Sequence, residues 1–302
     1  MSLGTGELSE LFASVGAVGS VHAREVGVAD GPDVSLNPDQ PVVLASVFKI
    51  PFALAYSREV AAGRLVETER TTVTSRYRVG GIGTAGCADD VEMSWRDLAM
   101  FMMTMSDNAA TDVIFHRVGQ SAVDAVLEDA GLHATQIIGC GEDMDLQMAT
   151  DLGVSPGPDG LDVDAMLAAA TPEQIWSMGI LDPERTPSST ARDTVRLLEA
   201  IWTDTAGSAE ACARVRSMMA RQIWPHRMAS GFGDGVLVAG KTGTLPAIRN
   251  EAGVVTYPDG RQYAVAVFTR SATLDDPQPA VDAAIGKAAR LAVDALRGFA
   301  AP

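Results

Sequence analysis

The apolar positions of this chain fall into three blocks with different periods. Near the start, residues 7–20 pattern as a helical turn or two running into small apolar residues, and 18–27 and 42–44 read as short strands or their approaches. From 46 to 62 the pattern becomes helical and unbroken except at Pro51, which falls in the first turn or so, where it is tolerated. Ser46 is a good N-cap for that segment and Gly63 a good stop. Residues 94–105 predict a second helix, capped by Ser94 with Asp97 at its third position; 108–117 and 121–129 continue the helical signal, punctuated by Gly119 and Gly131. The stretch 139–160, rich in Gly, Asp and Pro, reads as loop, 161–180 as helix broken at Pro172, and 189–202 as a well-capped helix. Then 235–240, 252–257 and 262–269 alternate as strands, with Pro258-Asp259-Gly260 as a hairpin turn, and 278–299 closes as an amphipathic helix.

This order predicts an α+β fold: an antiparallel sheet flanked by helices, with an all-helical segment inserted. The expected division is a discontinuous α/β domain, 1–42 and 226–302, and a helical domain, 43–225, with the functional site at their interface.

Composition narrows the function classes. At 302 residues and 47% hydrophobic content the chain buries a sizeable core easily. Its net charge of −16 repels phosphate backbones and anionic lipid, so no nucleic-acid partner is expected. No apolar run reaches the roughly 18 residues that span a bilayer. The first cation is Arg24, so no secretory signal is visible, and the chain reads as a soluble monomer acting on a small molecule. Cys87, Cys140 and Cys212 lack the spacing of a disulfide framework or a metal site, and His22, His116, His133 and His226 show no ligand spacing. Neither metal nor cofactor is expected. The run Gly80-Gly81-Ile82-Gly83 is not followed by Gly-Lys-Ser/Thr and is no phosphate loop.

One scarcity changes the picture. Only Lys49, Lys241 and Lys287 are lysines, against twenty arginines. Lys49 closes Ser46-Val47-Phe48-Lys49, where a spacing of nearly one helical turn brings the two functional groups to one side. A serine hydroxyl becomes a nucleophile when a neighbouring base takes its proton, and a lysine is such a base only when desolvated or close to another cation. Ser106-Asp107-Asn108 sits where one predicted helix ends and the next begins; alone, it is also a run of preferred caps. Lys241-Thr242-Gly243-Thr244 follows the predicted strand 235–240, where a lysine and two hydroxyls suit a carboxylate and Gly243 permits close approach.

Together the three motifs resemble the Ser-x-x-Lys, Ser-Asp-Asn and Lys-Thr-Gly set of the class A β-lactamases and related penicillin-binding proteins. The 60-residue step from Ser46 to Ser106 matches that family, and the resemblance extends over roughly 240 residues. It implies the β-lactamase/DD-peptidase-like fold and a serine hydrolase that opens a β-lactam amide through an acyl-enzyme, the chemistry of antibiotic resistance. By the same resemblance Ser46 is acylated, Lys49 is its base, and Ser106 passes the proton to the leaving nitrogen. Lys241, Thr242 and Thr244 hold the substrate carboxylate and Asn108 its amide side chain. The N–H groups of Ser46 and Thr244 form the oxyanion hole, Lys241 helps to loosen the proton of Lys49, and Arg249 is a further carboxylate contact or a solvent-facing arginine.

The match breaks at one place. The family's deacylating Glu-x-x-Leu-Asn is absent between Ser106 and Lys241. Counting forward from Ser106 reaches Glu142, and counting back from the helix near Ser189 reaches Glu173, about thirty residues apart. The alternatives are therefore a D,D-peptidase- or esterase-like hydrolase on the same fold, or a non-catalytic acyl-binding module.

Overall fold

The computed structural model describes residues 5–156 and 161–299. A helix α1 (Thr5–Ser14) leads into strands β1 (Ala17–Glu25), β2 (Asp33–Leu36) and the two-residue β3 (Val42–Val43). After a 3-10 turn at Ala45–Phe48 come α2 (Lys49–Ala61), β4 (Arg70–Val73), β5 (Val91–Ser94), α3 (Trp95–Thr104), α4 (Asn108–Val118) and α5 (Gln120–Asp129). Then follow α6 (Gly141–Asp151), α7 (Val163–Ala169), α8 (Pro172–Ser177), β6 (Ser188–Ser189), α9 (Ala191–Trp202) and α10 (Ala209–Met219). The strands β7 (Leu237–Leu245), β8 (Ile248–Thr256) and β9 (Gln262–Ser271) precede the last helix, α11 (Pro279–Phe299).

Five strands pair antiparallel in the order β2-β1-β9-β8-β7, so the two ends of the chain build one sheet. Helices α1 and α11 cover one face, where Val21, Val265 and Val267 meet Ile285, Ala288 and Ala292. The other face, through Ala252, Val254, Ala264 and Phe268, packs against α9 and the helical middle. Covered on both faces, β8 and β9 read as apolar runs, with only the first and ninth residues of β9 and the last of β8 left partly open or exposed. Each buried aliphatic side chain contributes about 1.5–3 kcal/mol, so the sheet is a stiff platform. One of its two edge strands is β7, which carries Lys241 to Thr244.

The expected order of elements is observed, with local differences that have physical causes. The stretch 139–160, read as loop, contains the helix α6; residues 157–160 lie outside the described residues. Four acids hide the helical pattern of α6, which is held by tertiary contacts instead. The Asp143 carboxylate accepts from the Cys140 N–H, Asp112 accepts from the Gly141 N–H, and Met148 and Ala149 pack into a small core. The helix α10 was not among the expected elements. Strands β7 and β8 run further than the alternation predicts, so the Lys-Thr-Gly-Thr motif lies within β7 rather than after it, and Arg249 lies inside β8. At 189–202 the cap is Thr190, whose hydroxyl accepts from the Asp193 N–H; Ser94 caps α3 as expected.

Ser46 is not a helix cap. The regular helix begins at Lys49, and the turn before it has no side-chain cap. The entry to that turn is fixed from the sheet: the buried Asn250 amide donates to the carbonyls of Val43 and Leu44 at 2.9 and 3.2 Å. The Ser46 hydroxyl is left free for other use.

Candidate active site

Ser46 stands between two basins. One, of about 470 Å³, is lined by Gly81, Met105, Ser106, Arg227, Thr242 and Thr244; the other, about 440 Å³, by Gly141, Asp145, Met148, Asp164 and Leu245. Ser46, Asn108 and Thr244 line both. The residue before the serine, Ala45, holds φ at +47°, and Ser106 holds +67°. A non-glycine residue in that region costs on the order of 1–3 kcal/mol and is kept only where surrounding contacts dictate it. Both lie at the site.

Lys49 is 1% exposed. Its ammonium donates to the Ser106 carbonyl at 2.8 Å, the Ser106 hydroxyl at 3.2 Å and the Asn108 side-chain oxygen at 2.7 Å. All three N–H groups therefore point at the Ser-Asp-Asn turn, and no Lys49 hydrogen bond goes to the Ser46 hydroxyl. Burial lowers the lysine from its ordinary 10.5 to about 8, against the pull of Asp112, Asp107 and Asp145. The helix–helix contact behind it is aromatic: Phe52 of α2 lies 5.0 Å from both Phe48 and Phe115 of α4. Asp107 fixes the turn by accepting from Ala110 N–H and from the N–H and hydroxyl of Thr84, which draws the segment 80–86 over the first basin.

The third motif approaches from the sheet. A Cβ at Gly243 would stand 2.6 Å from the Leu44 carbonyl oxygen and 3.2 Å from the Ser46 nitrogen, so only glycine lets β7 press against the Ser46 turn. The Thr242 N–H donates off the free edge of β7, to the Gln222 side chain at 2.6 Å. By the two-residue period of a strand the Thr244 N–H points the same way. Lys241 is completely buried, and its ammonium donates to the Thr242 carbonyl at 2.8 Å. Burial, and next the charge of Lys49, drives it well below its ordinary range.

Thr242 and Thr244 thus reach the basin while Lys241 stands behind them. The cation at the front is Arg227, 3% exposed and not anticipated from the motifs. Its guanidinium donates to Asp282 at 2.6 Å, to the carbonyls of Gly243 and Asn250 at 2.9 and 3.0 Å, and to the Thr244 hydroxyl at 2.8 Å. Arginine is common in this chain, so nothing in the sequence singled Arg227 out. Arg249 is 3% exposed rather than solvent-facing, and it pairs with Asp276 at 2.7 Å on the rim of both basins.

Glu142 pairs with Arg76 at 3.1 Å and Glu173 is exposed in the first turn of α8; neither lines a basin. Asp145 does. It is 7% exposed, faces the second basin, and one of its carboxylate oxygens is buried with no hydrogen-bond partner. Burial, with the neighbouring Asp112, raises it to about 7. The loop reading of 139–160 hid it. The same folding brings His116, Cys140 and Glu142 within 4.8 Å of one another, a proximity absent from the sequence spacing. Arg76 pairs with that glutamate, and burial pushes the Cys140 thiol up.

Sheet order, flanking helices and the position of the cleft define the class: a class A β-lactamase-like fold. The chain belongs to the beta-lactamase enzyme family, whose family model matches residues 5–296. It is 29% identical, over 96% of each sequence, to the beta-lactamase regulatory protein BlaB of Streptomyces cacaoi. A β-lactamase structure from Sphaerobacter thermophilus superposes with a TM-score of 0.75 at 25% identity, covering 99% of this chain and 98% of that one. A mutant of PBP-A, solved as an acyl-enzyme complex with penicillin G, gives 0.73 at 20% identity over 97% and 96%. Among the described residues no helix is long and apolar enough to cross a membrane.

Proposed function

We propose that this protein is a serine hydrolase that opens a β-lactam or related amide through an acyl-enzyme on Ser46. The observation that carries the reading is the buried Lys49, held at about 8 beside Ser46 and hydrogen-bonded to Ser106. At pH 7 its neutral form lies about one pKa unit uphill, roughly 1.4 kcal/mol, where an ordinary lysine would need several. A neutral amine has two N–H groups and one lone pair. It keeps the two short bonds, to the Ser106 carbonyl and Asn108, and gives up the 3.2 Å contact. The lone pair then faces the Ser106 hydroxyl, and the Ser46 proton reaches Lys49 once that hydroxyl or the amine turns toward Ser46.

Acylation forms the bond from Ser46 Oγ to the carbonyl carbon and breaks the amide C–N bond. The proton passes from Ser46 to Lys49 and, through the Ser106 hydroxyl, to the departing nitrogen. The N–H groups of Ser46 and Thr244 stabilise the oxyanion, and Arg227, Thr242 and Thr244 receive the substrate carboxylate with Lys241 behind. For release, ionised Asp145 takes a proton from water; the hydroxide attacks the acyl carbon, the ester C–O bond breaks, and the proton returns to Ser46. The place of Asp145 on the wall of the second basin, with one carboxylate oxygen that no protein group engages, supports that role.

The experiment is a chromogenic cephalosporin read for turnover and intact mass together. Turnover is expected in the native chain, no adduct in Ser46→Ala, and a persistent adduct in Asp145→Asn. A native chain that accumulates one stoichiometric adduct without turnover supports the second reading, an acyl-binding module, which the kinship with a regulatory protein favours. An ester or D-alanyl peptide turned over in place of the lactam points to an esterase or D,D-peptidase. No adduct with any of these substrates overturns Ser46 as the nucleophile.

A further inference from the structure

Behind the first basin lies a carboxylate that lines neither basin, Glu251 of β8. It is 0% exposed, and both of its oxygens are engaged. Oε2 accepts from the Met228 N–H and Oε1 from the Gln222 side-chain amide, each at 2.7 Å. The oxygen of that amide accepts in turn from the Thr242 N–H at 2.6 Å. Every donor in this chain therefore points toward Glu251, and only a group with two acceptors and no proton can end it. Gly240 makes room for the carboxylate, since a Cβ there would stand 2.5 Å from Glu251 Oε1. Burial pushes Glu251 up to about 7, against the pull of Met228 N–H, Gln222, Arg227 and Lys241.

What this carboxylate holds is the wall that carries Arg227. Residues 220–227 belong to no helix or strand, yet Trp224, His226 and Arg227 all line the first basin. Glu251 grips that stretch at both ends, with one oxygen on Gln222 and the other on Met228. Through Gln222 the same grip reaches β7 at Thr242, two residues before the Thr244 hydroxyl that Arg227 contacts. Irregular segment and strand are thus fixed to each other from one point. Asp282 orients the guanidinium from α11, while Glu251 fixes the backbone that delivers it.

We propose that Glu251 is a positioning residue: with Gln222 it sets Arg227 against Thr242 and Thr244, and so governs how strongly the cleft selects substrates that carry a carboxylate. This selection presupposes the acylation of Ser46 proposed for the protein. Glu251→Gln keeps the size of the side chain but turns one acceptor into a donor. Its nitrogen then opposes either the Met228 N–H or the Gln222 amide, and a flipped Gln222 only passes the mismatch to Thr242.

The measurement is the second-order rate of acylation by a fluorescent penicillin and by its methyl ester, each followed by stopped flow. Lys49 serves both substrates alike, so its titration cancels in the acid-to-ester ratio. That ratio should fall about tenfold in Glu251→Gln, the weight of one charge-assisted hydrogen bond. In the native chain it should also fall about fivefold from pH 8 to pH 6, as Glu251 gains a proton, and it should lie flat in the variant. The other charged groups around Glu251 are Lys241 of β7, Arg249 of β8, Asp282 of α11, and His226 and Arg227 of the held stretch. All but Asp282 are bases, whose protonation would raise the ratio; Asp282 is present in the variant, so a limb lost there belongs to Glu251. A ratio unchanged in Glu251→Gln, or an acid limb that survives in it, overturns the role of Glu251 and leaves Ser46 standing. No adduct from either substrate overturns both. Gln222→Met, at a half-buried position, removes only the link to Thr242 and decides the matter where Glu251→Gln fails to fold: a ratio as high as the native chain's overturns the role of Glu251.

Discussion

The titration of Lys49 gives the sharpest test of the proposed chemistry. With the amine at about 8, roughly a tenth is neutral at pH 7, half at pH 8 and nine-tenths at pH 9. If the neutral amine accepts the Ser46 proton, the second-order rate of acylation rises about tenfold from pH 7 to pH 9 and then levels. A fluorescent penicillin followed by stopped flow reads that rate without requiring turnover. Lys49→Arg, which cannot give up its charge, should lower it by a factor on the order of 10²–10⁴. The same group has a stability signature of defined sign. The unfolded chain, with lysine at 10.5, binds more protons than the folded one between pH 8 and 10.5, so folding becomes more favourable as pH rises through that window. A shift of 2.5 units corresponds to about 3 kcal/mol. Urea unfolding of the native chain and of Lys49→Met, compared at pH 7.5 and pH 10.5, isolates it: the native chain should gain about 3 kcal/mol relative to the variant. An acylation rate that stays flat from pH 7 to 9 would refute Lys49 as the proton acceptor.

Three further outcomes follow from the packing. Gly243→Ala puts a methyl group 2.6 Å from the Leu44 carbonyl oxygen; β7 must back away from the Ser46 turn, and acylation should fall by about two orders of magnitude while the far-ultraviolet dichroism stays native. Arg227→Lys keeps the charge but cannot serve Asp282, two carbonyls and the Thr244 hydroxyl together. Its KM for a substrate with a carboxylate should rise about tenfold, and its KM for the matching ester should barely change. Phe52→Ala empties the centre of the aromatic contact between α2 and α4 and should cost about 3–5 kcal/mol in urea unfolding.

The sequence by itself determined the local chemistry. Scarce lysines one turn after Ser46 and at the head of Lys-Thr-Gly-Thr, with Ser-Asp-Asn between them, identified the three motifs that the fold gathers around one cleft. Period and caps located most helices because these depend on residues three or four apart, and Ser94 caps α3 for that reason. What depends on residues far apart in the chain was not legible. Arg227 looks like any of twenty arginines until β7, β8 and α11 enclose it with Asp282. The helix α6, acidic and rich in turn formers, is held by Asp112 and by a core assembled from distant segments, so Asp145 was hidden in what read as loop. Ser46 looked like a helix cap, and only Asn250 and Gly243, some two hundred residues on, hold its turn so that the hydroxyl stays free. Motif identity is a property of neighbours along the chain; desolvation, and with it the lowered proton affinity of Lys49, exists only once the tertiary structure has excluded water.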